Sequence, residues 1–256
     1  MSLNPPLKNW SGLPVWVVGA SSGIGLALAS RLHALGARVT VSARQAWALE
    51  AFASTHPGAL AVPLDVTDAQ AVARASTQVH THHGLHLVVY CVGHYLPQRA
   101  TAFNAEEMHK HMRINYDGAV HCVDAVLPHL LKQGRGHLSL VSSVAGFRGL
   151  PKSLAYGPSK AALTHFAEVL HLDLKDHGVG VSVVHPGFVR TPLTAQNDFE
   201  MPALIEPEAA AQAMIDQWGK GVFEVHFPKR FTHVMKALRL LPYGLYLRLA
   251  SRLTPS

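Results

Sequence analysis

Cysteine is almost absent from this chain. Cys91 and Cys122 are the only two in 256 residues. That is too few for a disulfide framework or a four-ligand zinc site, and it fits a reducing cytosol. Charge is also scarce. Only 15% of residues are charged while 48% are hydrophobic, which excludes a disordered chain and supplies a sizeable core. Acidic residues nearly vanish towards the C-terminal end. Residues 1–220 carry sixteen Lys and Arg against fifteen Asp and Glu, whereas residues 221–256 carry six against Glu224 alone. The net charge of +6 therefore belongs to the tail. A near-neutral body without aromatic-interleaved basic stripes excludes a nucleic-acid surface. No apolar run reaches the roughly 18 residues of a membrane span. The opening MSLNPPLKNW lacks the layout of a secretory signal, and residues 1–13 read as a short leader.

What is present alternates strand with helix. Val15–Gly19 is a wholly apolar strand candidate of the kind parallel sheets bury. It runs into GASSGIG, residues 19–25, and then a helix pattern from Ile24 to Leu35. Glycines 19, 23 and 25, with Ser21, Ser22 and Ile24 between them, thus sit at a strand-to-helix turn. There the backbone can approach a pyrophosphate and the helix N-terminus can meet its charge. Further strands are expected at Val39–Ala43, Leu60–Leu64, Leu85–Cys91, His137–Val141, Val179–Val184 and Val222–Phe227. Helices are expected over 46–56, from Asp68 to His80, over 104–132, and at Ser153–Asp176 and Glu208–Trp218. The pattern predicts an α/β fold: one Rossmann-like, doubly wound parallel sheet of seven strands over residues 1–228, helices on both faces, and a helical tail at 229–256. The histidines at 80, 82, 83 and 86 lack acidic or Cys companions and read as a solvated helix end rather than a metal site.

Chemistry concentrates between Ser143 and Lys160. Ser143 closes the fifth strand, where ligands of open α/β sheets bind. Tyr156 and Lys160 are four apart and share a helix face. A nearby ammonium lowers a phenol's pKa, so the pair suits proton exchange with an alcohol or carbonyl oxygen, with Ser143 bonding the same oxygen. Asn115 (RINYDG) predicts a local kink that aims its amide and a freed carbonyl at the site. After the second strand comes Arg44 rather than an acidic residue. A guanidinium pairs with a 2′-phosphate, which predicts NADP(H) over NAD(H).

Together these motifs resemble the short-chain dehydrogenase/reductase family. GASSGIG, the LDV segment ending at Asp65 and Val66, Asn115, Ser143, Tyr156-x3-Lys160 and PGFVRT at 186–191 occur in family order over roughly residues 12–228. The resemblance implies an NAD(P)-dependent oxidoreductase. Tyr156 is then the acid/base, Lys160 lowers its pKa and bonds the nicotinamide ribose, Ser143 holds the substrate oxygen, and Asn115 positions a water behind Lys160. It further implies that Asp65 and Val66 meet the adenine, Gly93 the cofactor ribose, and Pro186, Gly187, Val189 and Thr191 the nicotinamide end. Homodimers or homotetramers paired through the long helices are also implied. One departure stands out. Where the family carries Asn-Asn-Ala-Gly, this chain reads Tyr90-Cys91-Val92-Gly93, so the side chains that brace the central sheet are missing.

His94, Tyr95, Phe147, Leu150 and Phe188 flank the expected site, with Phe199, Met201, Leu204 and Ile205 as lid. This lining predicts a small hydrophobic carbonyl or secondary alcohol as substrate. In the tail, Phe231, Val234, Met235 and Leu238, then Leu245, Leu249 and Leu253, repeat at helical spacing among Lys and Arg. Two basic amphipathic helices are expected, packed over the pocket or a partner subunit, or docked on an anionic membrane. The expected location is cytoplasmic. The competing functions are a non-catalytic NADP-binding sensor or scaffold, and a membrane-surface dehydrogenase of lipid-like or steroid-like alcohols.

Overall fold

Alternate residues of the first strand, β1 (Pro14–Val18), serve two different cores. Val15 and Val17 pack on one face of the sheet, Trp16 and Val18 on the other. This period of two is what a strand buried on both sides requires. The computed structural model describes residues 2–252. β1 joins β2 (Arg38–Ser42), β3 (Leu60–Ala61), β4 (Leu87–Tyr90), β5 (Gly136–Val141), β6 (Val179–Pro186) and β7 (Glu224–Phe227). They form one parallel sheet in the order β3-β2-β1-β4-β5-β6-β7. The order reverses between β1 and β4, and the crevice at such a switch point is where these sheets take ligands. The expected α/β doubly wound architecture is the one observed.

Helices α1 (Gly23–Ala34), α2 (Ala46–Thr55) and α7 (Pro207–Trp218) cover one face. Helices α3 (Ala69–His82), α4 (Ala105–Met112), α5 (Gly118–Gln133) and α6 (Tyr156–Leu174) belong to the other. Buried indoles are satisfied within the sheet: Trp16 Nε1 donates to Ser42 Oγ (2.9 Å) and Trp218 Nε1 to Ser182 Oγ (3.0 Å). Asp68 caps α3 by accepting from the Ala71 amide.

Four expectations need correction. β3 stops at Ala61 rather than Leu64; beyond it Val62 and Leu64 only donate singly to the carbonyls of Val41 and Ala43, and Pro63 lies between them on the open edge of the sheet. The helix expected over 104–132 is broken by a π-turn at Arg113–Asp117. α6 begins at Tyr156, three residues late. The stretch 1–13, expected as a short leader, is packed on the body at Asn4, Leu7 and Trp10, all buried. Leu253, part of the tail repeat, lies outside the described residues.

The tail forms two helices, α8 (Lys229–Arg239) and α9 (Tyr243–Arg252), each burying part of one side on the body. Among the described residues no helix is long and apolar enough to cross a membrane.

Candidate active site

The C-terminal ends of β1, β2, β4, β5 and β6 open onto one cleft of about 1000 Å³, large enough for a dinucleotide with a small substrate. Its first wall is the glycine turn between β1 and α1. Gly19 has φ +95°, and a Cβ there would lie 2.7 Å from the carbonyl carbon of Cys91. A Cβ on Gly23 (φ +56°) would lie 2.8 Å from Thr191 Cγ2, and one on Gly25 would overlap the Gly19 carbonyl oxygen. Ser22 caps α1 without a side-chain bond, so the first-turn amides are left for an anion. A backbone cradle that side chains would fill, at an uncapped helix start, fits a pyrophosphate. Ser21, Ser22 and Ile24 line it.

Beyond β2, Arg44 is exposed on the cleft rim. Asp65 accepts from the Thr67 amide (2.9 Å) and hydroxyl (2.8 Å). The amide bond, then the hydroxyl and the Arg44 charge, hold its pKa below the ordinary value against the opposing effect of burial. Val66 lines the same stretch.

At the far end stand Ser143, Tyr156 and Lys160. Ser143 Oγ accepts from the Ala145 amide (3.1 Å) and opens the 3₁₀ turn Val144–Gly146. A Cβ on Gly146 would lie 2.8 Å from the Lys160 carbonyl carbon, so glycine lets this turn reach α6. Tyr156 is the first residue of α6, with Lys160 one turn on. The Lys160 ammonium donates to the Val141 carbonyl (2.9 Å) and lies 5.7 Å from the Tyr156 ring centre. Enclosure by protein pushes the Tyr156 phenol up to about 12, offset in part by a hydrogen bond from Ser143. Burial pulls Lys160 down to about 8. The expected lowering of the tyrosine by its lysine is not found. Desolvation sets the direction instead, and the ammonium is held by the Val141 carbonyl.

Asn115 sits in the π-turn and is fully buried. The expected kink is there, but the amide is turned away from the cleft. Its Oδ1 accepts from the His94 amide (2.7 Å), and its Nδ2 donates to the His94 carbonyl (3.0 Å) and Ser159 Oγ (2.9 Å). The main chain after Gly93 is thereby clamped to α6. Gly93 and His94 line the cleft, as do Pro186, Gly187, Val189 and Thr191.

Two expected substrate contacts lie elsewhere. Phe147 packs on His185 (ring centres 4.6 Å apart), and Phe188 packs between Phe199 (5.7 Å) and Phe231 (5.2 Å) of the tail. Neither lines the cleft, because the tail draws both aromatic rings towards itself. Tyr95 does line it. Its ring meets Tyr156 edge-on at 5.0 Å and its hydroxyl donates to Asn197 of the lid (3.1 Å). The lid is further tied by Lys152–Asp198 (2.7 Å) and Arg190–Glu206 (2.7 Å).

Glu107, Lys110 and Arg113 of the α4 segment also line the cleft, and the sequence reading passed over them. Their only signal was the run EEMHKHMR after Asn104, which reads as a capped helix with ordered charges. Glu107 pairs with His94 Nε2 and lies near His111. These three are the one metal-like grouping among the described residues. Both His111 ring nitrogens are nevertheless engaged: Nδ1 donates to the Glu107 carbonyl (2.8 Å) and Nε2 accepts from the Leu96 amide (3.2 Å). The histidines at the end of α3 go separate ways, His83 to Thr40 Oγ1 (3.1 Å) and His80 against the His129 ring (4.2 Å).

Comparison with known proteins agrees with this geometry. The family model described as short chain dehydrogenase matches residues 14–201. An uncharacterized oxidoreductase of Myxococcus xanthus is 38% identical over 242 residues, covering 93% of this chain and 96% of that one. An uncharacterized oxidoreductase of Staphylococcus epidermidis is 34% identical over 201 residues, 78% and 87% of the two chains. Among solved structures, a short chain dehydrogenase from Burkholderia cenocepacia in complex with NADP superposes with a TM-score of 0.85 at 27% identity, covering 97% of this chain and all of that one. With its parallel sheet, glycine cradle and Ser-Tyr-Lys cluster facing one cleft, the chain belongs to the short-chain dehydrogenase/reductase family of NAD(P)-using oxidoreductases.

Proposed function

We propose that the chain is an NADP(H)-dependent reductase of hydrophobic carbonyls, with Tyr156 as the proton donor. One observation carries this reading. Ser143, Tyr156 and Lys160 line one end of the cleft whose rim holds Arg44 and whose wall is the glycine cradle. The nicotinamide, when bound, supplies or accepts the hydride. The cradle residues Gly19, Ser21, Ser22, Gly23, Ile24 and Gly25 would hold the pyrophosphate. Asp65, Val66 and Gly93 would meet the adenosine and ribose. Pro186, Gly187, Val189 and Thr191 would bound the nicotinamide.

Ser143 and Tyr156 bind the carbonyl oxygen from one side, and the phenolic proton passes to that oxygen as charge develops on it. A phenol near 12 is protonated at neutral pH and so holds the proton it would donate. Lys160, charged below about 8, stabilises the phenolate left behind. Asn115 acts through position, by fixing the main chain at His94. The neutral substrate class is supported by the fate of two arginines. Arg148 is sandwiched between Tyr243 and Tyr246, and Arg190 is paired with Glu206. His94 and Tyr95 shape the substrate end. Exposed Leu131, Val169 and Leu172 on α5 and α6 supply a surface for pairing copies into a dimer or tetramer.

Fluorescence titration with NADPH and NADH tests the cofactor reading. Arg44→Ala is expected to weaken NADPH about tenfold or more and leave NADH unchanged. Turnover of apolar ketones abolished in Tyr156→Phe, with NADPH binding intact, supports the catalytic reading. Faster turnover of small charged ketoacids overturns the substrate class, and binding of neither nucleotide overturns the whole.

A further inference from the structure

We propose that the α8–α9 tail is a docking surface for an anionic phospholipid membrane. The proposal concerns this surface alone and does not depend on the reaction.

Both helices are tied to the body. α8 buries Thr232 and Met235, and α9 buries Tyr246 and Ala250. Phe231 lies over Gly187, where a Cβ would come within 2.7 Å of its ring. Lys236 donates to Glu224 (2.5 Å), and the Tyr246 hydroxyl donates to the Gly149 carbonyl (2.8 Å). The Arg148 guanidinium stacks between the rings of Tyr243 (4.4 Å) and Tyr246 (4.3 Å) while donating to the Leu241 carbonyl. Anchored in this way, the two helices leave their outward sides to solvent.

That face is apolar at its tips and basic throughout. Six of the fifteen large hydrophobic side chains left exposed by the described residues lie between Val234 and Leu249. Leu240 is 84% exposed, Tyr243 74% and Leu247 58%, so the turn between the helices and the start of α9 project into solvent. Arg230, Arg239, Arg248 and Arg252 are exposed around them. No acidic residue follows Glu224, whose carboxylate is already met by Lys236 and His185. Leucine and tyrosine tips set among arginines match the chemistry of a bilayer surface. The tips enter the headgroup layer, tyrosine sits at its level, and arginine pairs with lipid phosphate.

Other occupants fit less well. A nucleic acid gives Leu240 and Leu247 nothing to enter. A second copy meeting the same face would set arginine against arginine with no carboxylate between. The position is also consistent with interfacial work. The 147–149 loop under α9 follows directly on the turn at Ser143, and Phe231 of α8 touches Phe188 beside the lid.

The test is co-sedimentation of the full chain with vesicles of phosphatidylcholine alone, or mixed equally with phosphatidylglycerol. Binding to the mixed vesicles is expected to exceed binding to phosphatidylcholine about tenfold and to fall with added salt. Leu240→Glu/Leu247→Glu and Arg248→Glu/Arg252→Glu are each expected to reduce it about tenfold. All four sites are exposed, so melting temperature and NADPH affinity should stay unchanged. At constant ionic strength, replacing chloride by inorganic phosphate should leave vesicle binding intact. Equal binding to both vesicles, displacement by free phosphate, or variants that bind like wild type would overturn the proposal. So would light scattering that shows a dimer lost in Leu240→Glu/Leu247→Glu without any vesicle binding.

Discussion

The Tyr90 hydroxyl donates a 2.5 Å hydrogen bond to the carbonyl oxygen of Ile114. Tyr90 ends β4 and occupies the first position of the family's Asn-Asn-Ala-Gly segment. Ile114 lies in the π-turn, whose wider spacing frees carbonyls from the helical ladder. The bracing that the missing asparagines seemed to remove is thus supplied by a phenol. Gly118 makes room for it, since a Cβ there would run into the Tyr90 hydroxyl.

Tyr90→Phe keeps the ring in the core and deletes this bond. The part-buried Ile114 carbonyl then loses this bond, at a cost of about 0.5–1.5 kcal/mol. A lowered urea midpoint at unchanged slope is the expected result. An unchanged midpoint would show that the bond adds nothing.

Lys160→Met should separate stability from catalysis. The folded state lowers the Lys160 pKa from 10.5 to about 8, so below about 8 it carries a buried charge that the unfolded chain carries in water. Between about 8 and 10.5 the unfolded chain binds the proton and the folded chain does not, so wild-type stability rises with pH. The variant is expected to be more stable than wild type at pH 7, with the advantage shrinking towards pH 10.5. Turnover should fall by about two orders of magnitude or more. Thermal melts across that range, paired with initial rates, give both readouts.

Gly25→Ala forces a methyl into the Gly19 carbonyl and must move the cradle. About tenfold weaker NADPH binding, with about 1–3 kcal/mol of lost stability, is expected. Gly149→Ala is the matched control, because nothing lies within 4 Å of its Cβ position. Calorimetric titration distinguishes them, and equal affinities would remove the cradle from the binding site.

Glu224→Gln probes the tie between tail and body. Burial opposes the charge on Glu224, but His185 (3.2 Å) and Lys236 together hold its pKa down to about 2. A carboxylate lowered in this way stabilises above its ordinary value of 4.5 and loses that contribution as pH falls towards 2. Wild type should therefore exceed the variant by about 1–3 kcal/mol at pH 6, after allowance for solvent screening, and match it near pH 2. A gap that persists in acid would assign the effect to packing.

The sheet was legible because parallel strands buried on both faces leave unbroken Val- and Leu-rich runs, and because glycines mark where the backbone must approach a ligand. Ser143, Tyr156 and Lys160 were legible from spacing along a helix and its preceding strand. What escaped was tertiary. The raised phenol at Tyr156 depends on enclosure by elements distant in sequence, and Asn115 faces His94 because the π-turn rotates it away from the cleft. Phe147 and Phe188 look like pocket residues until the tail is in place to claim them. Glu107 and Lys110 gave only the pattern of a solvated helix, since a helix face towards a cleft is as polar as one towards water.

Asn4 bonds both the amide (3.0 Å) and the carbonyl (2.7 Å) of Val181, and the amides of Leu3 and Asn4 donate to the Gly221 carbonyl. These contacts join positions 177 to 218 residues apart. During synthesis the first residues have no partner until almost the whole sheet has been made. The clasp is therefore among the last contacts that a chain growing from its N-terminus can close.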